Sequence, residues 1–235
     1  MTIELKVLQG AVAMVALNRP EVRNALNLEM CDALLRITQG ISEEVRVVFV
    51  RGNGPAFCAG ADVKEREGKD PAWVRERRMR AFAAYAALEA LPMPCVALVH
   101  GAVVGSGVEI AAACDFIVAA PDATFRTPEA QRGTVGATQR LPRILGKRLA
   151  KDLMFTGRAL TAAEARDAGF VARIGELEEE EAAIAEAILK APPLALKLAK
   201  RTIDRGVELD PPGALKAELE AIDEQLAAGQ WMGKS

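Results

Sequence analysis

Apolar and polar side chains alternate at the start of the chain, which predicts two β-strands over Ile3–Leu8 and Val12–Leu17 with a turn at Gln9-Gly10. Farther along, continuous apolar runs rich in β-branched residues predict strands that are covered on both faces. These runs are Val45–Val50, Cys95–Val99, Phe116–Ala119 and the shorter Phe170–Ile174.

The segments between these strands carry the start and stop signals of helices. Asn27–Ile41 begins with an N-capping side chain, and Asp70–Leu91 begins with Asp-Pro. The glycine turn Gly101–Gly107 leads into a short apolar helix. Strand and helix therefore alternate from residue 45 to 119, which predicts right-handed crossovers and a mostly parallel sheet in an α/β fold.

Beyond residue 140 the pattern becomes helical. A capping box, Thr161-x-x-Glu164, begins one helix, and Pro-Pro pairs separate three later ones. The later helices are predicted over Glu176–Leu189, Leu194–Arg205 and Gly213–Ala228. We therefore divide the chain into a core over residues 1–174 and a helical region over residues 175–235.

Composition narrows the class of protein. The 235 residues are 51% hydrophobic and 26% charged, which is typical of a globular protein. A net charge of −2 and only 4% aromatic residues argue against a nucleic-acid partner. The N-terminus lacks a signal-peptide pattern, and the most apolar stretch, Cys95–Ala120, contains ionisable residues unsuited to a membrane. We expect a cytoplasmic protein with no nucleic-acid or membrane partner.

The four cysteines and the single histidine do not have the spacing of metal ligands. Cys31, Cys58, Cys95 and Cys114 form no Cys-x-x-Cys pair, so neither a structural zinc site nor a disulfide framework is expected. We predict four small buried thiols and no bound metal.

Glu109 has the most informative surroundings of any charged residue. Its neighbours in the short helix are all apolar, so the helix should be buried with the carboxyl group inside. Burying a carboxylate is costly unless it is paired or protonated. Such a group is a candidate general acid or base, although a structural glutamate bonded to a neighbouring strand or loop fits the segment equally well.

Two loops have the pattern of ligand-binding turns. Gly105-Ser106-Gly107 precedes the short helix, whose first N–H groups have no partner within the helix. The loop Phe57–Asp62 follows a buried strand, and loops at the carboxyl ends of parallel strands line one crevice. Together they would form an oxyanion hole, whereas each taken alone is compatible with an ordinary glycine turn.

Three further features are weak signals when taken alone. Glu129 is typical of an exposed loop acid. Ser106, His100 and Asp115 suggest a hydrolytic triad, but the sequence around Ser106 is not a Gly-x-Ser-x-Gly elbow, and a structural histidine is the simpler interpretation of His100. A basic run in the second predicted helix is expected to face solvent, or in part to bind an anionic cofactor. It comprises Arg75, Arg77, Arg78 and Arg80.

The order of these segments resembles the enoyl-CoA hydratase/isomerase (crotonase) superfamily from Asn18 to about Ile174. The residues that carry the resemblance are Asn18-Arg19-Pro20-Glu21 with Asn24-Ala25-Leu26, Phe57–Asp62, Gly101–Asp115, and Pro128-Glu129 with Gly133-Thr134, Thr138–Leu141 and Thr156-Gly157.

This resemblance implies a crotonase-like superhelix of ββα units, with a helical C-terminal region that forms a homotrimer or a dimer of trimers. It implies an acyl-CoA thioester substrate, and no metal or redox cofactor. Ala61 and Ser106 would donate backbone N–H groups to the thioester oxygen, and Glu109 and Glu129 would be catalytic. The residues that would line the path of CoA are Arg23, Ala25, Ala59, Gly60, Asp62, Lys64 and Gly105.

The activity implied is that of an enoyl-CoA hydratase, which adds water across a 2,3-double bond to give a 3-hydroxyacyl-CoA. Glu109 would activate the water and Glu129 would protonate the α-carbon. The alternatives are an enoyl-CoA isomerase or another acyl-CoA reaction on the same site, and a non-catalytic CoA-thioester binder. Two departures from the family's pattern bear on the substrate: Glu129–Thr138 is a few residues short, and the sequence ends soon after Trp231.

Overall fold

A six-stranded sheet runs through the computed structural model, which describes residues 1–8 and 11–229 of the chain. Its strands, in spatial order, are β1 (Ile3–Leu8), β2 (Val12–Leu17), β3 (Val47–Gly52), β4 (Cys95–Val99), β6 (Phe116–Ala119) and β9 (Arg173–Ile174). A second sheet contains three short strands, β5 (Ala102–Val104), β7 (Thr124–Arg126) and β8 (Ala159–Thr161).

The pairing of the main sheet confirms the predicted topology. β1 and β2 are antiparallel, and every other neighbouring pair in the sheet is parallel. The turn predicted at Gln9-Gly10 lies outside the described residues. The central strands are buried on both faces: Val48 and Val50 of β3 contribute to one hydrophobic cluster, and Val47 and Phe49 to another.

Eight helices in the described part of the chain pack around the sheets. They are α1 (Leu28–Gln39), α2 (Pro71–Glu89), α3 (Ser106–Ala112), α4 (Arg140–Thr156), α5 (Ala162–Asp167), α6 (Leu177–Lys190), α7 (Pro193–Gly206) and α8 (Pro211–Ala227). The predicted caps are present. Asn27 Oδ1 accepts from Met30 N at 2.9 Å, Asp70 Oδ1 accepts from Trp73 N at 2.7 Å, and the capping box at Thr161 is complete.

The three short strands of the second sheet were not predicted, and β5 lies inside the segment predicted as a turn, Gly101–Gly107. Three residues are too few to show a strand's alternation, so these strands depend on pairing with distant residues. Helix α4 contains a break at Gly146, where φ is 72°.

The helical C-terminal region does not form one separate layer. α6 covers the second face of the main sheet, and its Ile184 is buried in the cluster that contains Val47 and Phe49. α7 and α8 pack mainly against each other. The division of the chain after residue 174 stays a prediction.

The described chain offers no helix with the length and apolar character needed to cross a membrane. All four cysteines are buried free thiols, as predicted, and Cys95 Sγ lies 3.6 Å from Cys114 Sγ.

Candidate active site

Backbone hydrogen bonds hold two loops side by side at the carboxyl ends of β3 and β4. Cys58 N–H donates to Ala102 O at 3.1 Å, and Val104 N–H donates to Cys58 O at 2.9 Å. Gly105 N–H then donates to Arg126 O at 2.9 Å, which ties the turn before α3 to β7. The two loops predicted to open at one edge of the sheet therefore lie together.

Two glycines make this close approach possible. A Cβ atom at residue 107 would lie 2.6 Å from Cys58 O, so a larger residue would push α3 away from the loop. Gly105 has φ of 50°, a left-handed conformation that side chains disfavour, and its Cβ would lie 2.6 Å from Glu129 Oε1. The absence of a side chain at residue 105 thus lets the Glu129 carboxyl group reach the turn.

Two neighbouring backbone N–H groups are free to bind a ligand. Asp62 N–H donates to Leu26 O, and Glu109 N–H donates to Gly105 O. Within the described residues, neither Ala61 N–H nor Ser106 N–H has a backbone acceptor. Both residues line a cavity of about 200 Å³. Ala61 and Ser106, one on each loop, are thus both available to a ligand in the cavity, and their role as oxyanion donors stays a prediction.

Glu109 is buried in α3, as its apolar neighbours predict, and it lines the cavity. Its charge is paired: Arg140 Nη1 lies 3.3 Å from Glu109 Oε2, and Arg140 Nη2 lies 2.6 Å from Glu89 Oε2. Arg140 belongs to the segment that carries the family resemblance, but its contact with Glu109 could not be predicted from the sequence.

Glu129 is not the exposed loop acid that its local sequence suggests. It lies just after β7, half-buried against Gly105 and Gly136, because the loop that follows it folds back over its side chain. Its Oε2 atom is buried and has no hydrogen bond to any described residue. Burial raises the pKa of Glu129, and the nearby charge of Glu109 raises it further.

The residues predicted to line the path of CoA divide into two groups. Gly60 and Gly105 line the cavity with the oxyanion and carboxyl groups. The others are not among its lining residues; they are Arg23, Ala25, Ala59, Asp62 and Lys64. Arg19 Nη1 binds Ala25 O at 2.6 Å and Asp62 Oδ2 at 3.0 Å, and Ala59 N–H donates to Arg23 O. These bonds brace the loop, and a role in binding CoA stays a prediction.

The suggested hydrolytic triad is not assembled. Ser106 lies with Tyr85 on the cavity wall, and its hydroxyl group has no hydrogen bond to His100 or Asp115 in the described residues. His100 Nε2 lies 2.8 Å from Gly54 O, which agrees with a structural histidine. Asp115 follows the opposite end of α3 from Ser106, where it accepts from Cys95 N–H and pairs with Lys200 at 2.9 Å. Because His100 and Asp115 are engaged elsewhere, they do not form a triad with Ser106 in the described residues.

The four arginines of the predicted basic run have different surroundings in the structure. Arg75 is exposed, Arg80 pairs with Asp32 and Glu76, and the buried Arg77 pairs with Glu65 at 2.6 Å. Arg77 and Arg78 both line the cavity, together with two arginines that the sequence did not single out, Arg66 and Arg132. Sequence reasoning missed these two because each lies in a polar segment without a motif.

This arrangement can stabilise negative charge on a carbonyl oxygen and move protons on either side of it. Two residues with free backbone N–H groups, Ala61 and Ser106, line the same cavity as two carboxyl groups in unlike surroundings. Glu109 is paired with a guanidinium group, whereas Glu129 has a raised pKa. Unlike surroundings of this kind allow one carboxyl group to accept a proton while the other donates one.

Comparison with known proteins gives concordant matches over nearly the whole chain. A family model for enoyl-CoA hydratase/isomerase matches residues 8–230. The short-chain-enoyl-CoA hydratase of Clostridium acetobutylicum is 36% identical over 225 residues, covering 92% of this chain and 86% of that protein.

Solved structures match equally well. The enoyl-CoA hydratase of Bacillus anthracis superposes with a TM-score of 0.91 at 35% identity, covering 95% of this chain and 90% of that one. A Thermobifida fusca protein crystallised with acetoacetyl-CoA has a TM-score of 0.89 at 26% identity, covering 97% and 95% of the two chains.

Proposed function

Because the chain belongs to the enoyl-CoA hydratase/isomerase family and has the crotonase fold that its sequence predicts, we propose that it is an enoyl-CoA hydratase. The observation that carries this proposal is the pair of unlike carboxyl groups, Glu109 and Glu129, on one small cavity beside two free backbone N–H groups. The substrate is a 2-enoyl-CoA thioester, in keeping with the acetoacetyl-CoA that a structural neighbour binds.

In the proposed reaction, the thioester oxygen accepts hydrogen bonds from Ala61 N–H and Ser106 N–H. Attack by water on the β-carbon moves negative charge onto that oxygen, and each donor of an oxyanion hole typically contributes about 10²–10³ in rate. The two donors are fixed by the folded loops, so they need little reorganisation when the charge develops.

The two glutamates divide the proton transfers. Glu109 accepts a proton as the water oxygen bonds to the β-carbon, and Glu129 donates its proton to the α-carbon. The raised pKa of Glu129 favours the protonated form that donation requires. A proton then returns from Glu109 to Glu129 through solvent, so that the net reaction adds one water molecule to the double bond.

Isomerisation of a double bond on the same site is the main rival. It moves a proton between two carbons of the substrate and can proceed with one acid–base group. Hydration needs a second group to deprotonate water, and here two carboxyl groups face the cavity. We therefore place hydration ahead of isomerisation and of non-catalytic binding.

We further propose that the chain assembles as a homotrimer or a dimer of trimers. α7 and α8 leave a row of large apolar side chains open to solvent. They include Ile203, Val207, Leu215 and Leu219, which are at least half exposed. A surface of this kind marks an interaction site more often than a free surface.

Turnover of crotonyl-CoA tests the proposed reaction. The absorbance of the enoyl thioester should fall as 3-hydroxybutyryl-CoA forms, and 3-butenoyl-CoA offered in its place should react much more slowly. An isomerase would instead convert 3-butenoyl-CoA to crotonyl-CoA and leave crotonyl-CoA unchanged. No reaction with either thioester, despite binding, would favour a non-catalytic binder.

A further inference from the structure

The cavity that holds the two glutamates is unusually rich in guanidinium groups. Four arginines line it, namely Arg66, Arg77, Arg78 and Arg132. A neutral hydrocarbon chain gains nothing from cations beside it, and the expected lining of an apolar ligand site is apolar or aromatic. Glu109 and Glu129 line the same cavity, so four cations face two carboxyl groups, and an anionic ligand would offset the difference.

Neighbouring groups of the protein account for only part of this charge. Arg77 Nε is bound to Glu65 Oε1 at 2.6 Å, and the same guanidinium donates to Leu26 O. Arg78 Nη1 donates to the backbone oxygen of Val135 at 2.8 Å, and Arg78 forms no ion pair with a carboxylate in the described residues. Glu65 also acts on the charge of Arg66, but its hydrogen bonds go to Arg77 and to Leu28 N–H, and it forms no ion pair with Arg66 in the described residues.

Arg66 is the cation in the least satisfied position. It is half-buried, and its Nε atom is buried without a hydrogen-bond partner in the described residues. Burial lowers the pKa of Arg66, and the charges of Arg77 and Arg78 lower it further. A guanidinium group that is part-buried beside other cations is costly to keep, and such local conflicts are typical of binding sites.

We propose that the acyl group of the substrate carries a carboxylate of its own, which binds to Arg66 with support from Arg78 and Arg132. This inference rests on the proposed function only in that the cavity receives the acyl part of a CoA thioester. The planar guanidinium fork suits a carboxylate, and Arg78 and Arg132 line the same cavity as Glu129.

The size of the cavity limits the acyl group. About 200 Å³ is below the roughly 300 Å³ at which small-molecule pockets begin, so a short acyl chain fits. The shortened loop contributes to this limit, since Thr134, Val135, Gly136 and Ala137 are all lining residues. A short dicarboxylic acyl-CoA satisfies both the volume and the charge. The phosphates of CoA itself are the other possible source of negative charge.

Two five-carbon substrates of equal length separate these sources. Glutaconyl-CoA ends in a carboxylate and pent-2-enoyl-CoA ends in a methyl group, whereas both carry the same CoA phosphates. We expect kcat/KM to be higher for glutaconyl-CoA. In Arg66→Gln, kcat/KM for glutaconyl-CoA should fall about 10- to 100-fold, the loss expected for a charged hydrogen bond, with less than about a threefold change for pent-2-enoyl-CoA.

Matched variants control for charge and for folding. Arg66→Lys keeps the charge and should retain part of the preference for glutaconyl-CoA. Arg75→Gln removes one positive charge from an exposed position on α2 that does not line the cavity, and should leave both substrates unaffected. Equal losses for both substrates in Arg66→Gln would assign Arg66 to the CoA phosphates and overturn the proposal, as would a wild-type preference for pent-2-enoyl-CoA.

Binding of saturated thioesters separates this inference from the proposed reaction. Isothermal titration with glutaryl-CoA and pentanoyl-CoA should show tighter binding of glutaryl-CoA in the wild type and equal binding in Arg66→Gln. If neither enoyl thioester is hydrated but this difference is present, the hydratase proposal fails and the carboxylate site stands. If hydration occurs and the difference is absent, the carboxylate site fails alone.

Discussion

Arg140 and Glu109 form a part-buried ion pair, with 3.3 Å between Nη1 and Oε2. The same guanidinium binds the exposed Glu89 at 2.6 Å on its other side. No described guanidinium pairs with Glu129, and its Oε2 is buried without a hydrogen bond. Glu109 and Glu129 line one cavity but differ in their surroundings, because Arg140, the first residue of α4, pairs with Glu109 and not with Glu129.

Removal of Arg140 should destabilise the protein because Glu109 is left as a buried charge without its partner. Arg140→Gln is expected to cost about 3 kcal/mol, or roughly 6–12 °C in Tm for a chain of this length. The double variant Arg140→Gln/Glu109→Gln should recover most of that loss, whereas Glu89→Gln should cost less than about 1 kcal/mol. A double variant no more stable than Arg140→Gln would contradict the ion-pair account.

Replacement of either glutamate by glutamine should abolish most of the hydration activity. Glu109→Gln and Glu129→Gln are each expected to lower kcat on crotonyl-CoA by about 10²–10⁴, the usual range for acid–base catalysis. Binding of butyryl-CoA should change little, since the amide has nearly the same shape. A variant whose kcat stays within a few-fold of the wild-type value would remove that glutamate from the mechanism.

The hydroxyl group of Ser106 should be dispensable. Ser106→Ala keeps the backbone N–H, so hydratase activity should stay within about tenfold of the wild-type value, less than the loss of an oxyanion donor. His100→Ala should mainly lower Tm through its lost contact with Gly54.

A nucleophilic Ser106 would behave differently, because losing a triad nucleophile costs on the order of 10⁶ in kcat. Release of free thiol from butyryl-CoA by the wild type, abolished in Ser106→Ala, would replace the hydratase proposal with a thioesterase.

The raised pKa of Glu129 has a consequence for stability as a function of pH. A carboxyl group whose pKa is higher in the folded state favours folding at low pH, and this contribution is lost as pH rises through that pKa. Glu129→Gln should therefore gain in Tm relative to the wild type as pH rises from 4 to 8. A difference in Tm that is constant over this range would be evidence against the raised pKa.

Assembly should depend on the apolar surface of α7 and α8. Sedimentation at micromolar concentration is expected to give a trimer or a multiple of three. Leu219→Glu places a charge on α8 at a side chain that is 52% exposed, and should yield smaller species. Val7→Glu on the edge strand β1 changes an equally exposed residue, also at 52%, and should leave the assembly intact. A monomeric wild type would refute the proposed trimer.

The helices and strands that could be predicted from the sequence are those whose pattern extends over several consecutive residues. Alternation of apolar and polar residues predicted β1 and β2, and continuous apolar runs predicted the other four strands of the main sheet. Capping side chains at Asn27 and Asp70 predicted the starts of two helices. β5, β7 and β8 have three residues each and no local pattern of their own. They exist because distant segments pair, and this small sheet is what brings Glu129 to the turn at Gly105.

The residues of the candidate site likewise differ in whether their role could be predicted from the local sequence. Glu109 could be singled out from its neighbours alone, because an acidic residue in an apolar helix requires compensation. Glu129 and Arg140 could not, since what matters for each is the group that packs against it. Arg66 lies in the polar stretch Lys64-Glu65-Arg66-Glu67, which has no pattern that would single out this residue. Its surroundings are created only when α2 packs beside it.

The backbone hydrogen bonds of Cys58 hold one part of the cavity wall in place, whereas an exposed loop forms another part. These bonds tie the loops of Ala61 and Ser106, the proposed oxyanion donors, to each other, whereas Arg132 and Val135 line the same cavity from an exposed loop. A substitution in that loop should alter the cavity wall without moving Ala61 or Ser106. If the proposed function holds, the range of accepted acyl groups can change one residue at a time while the two N–H donors stay in place.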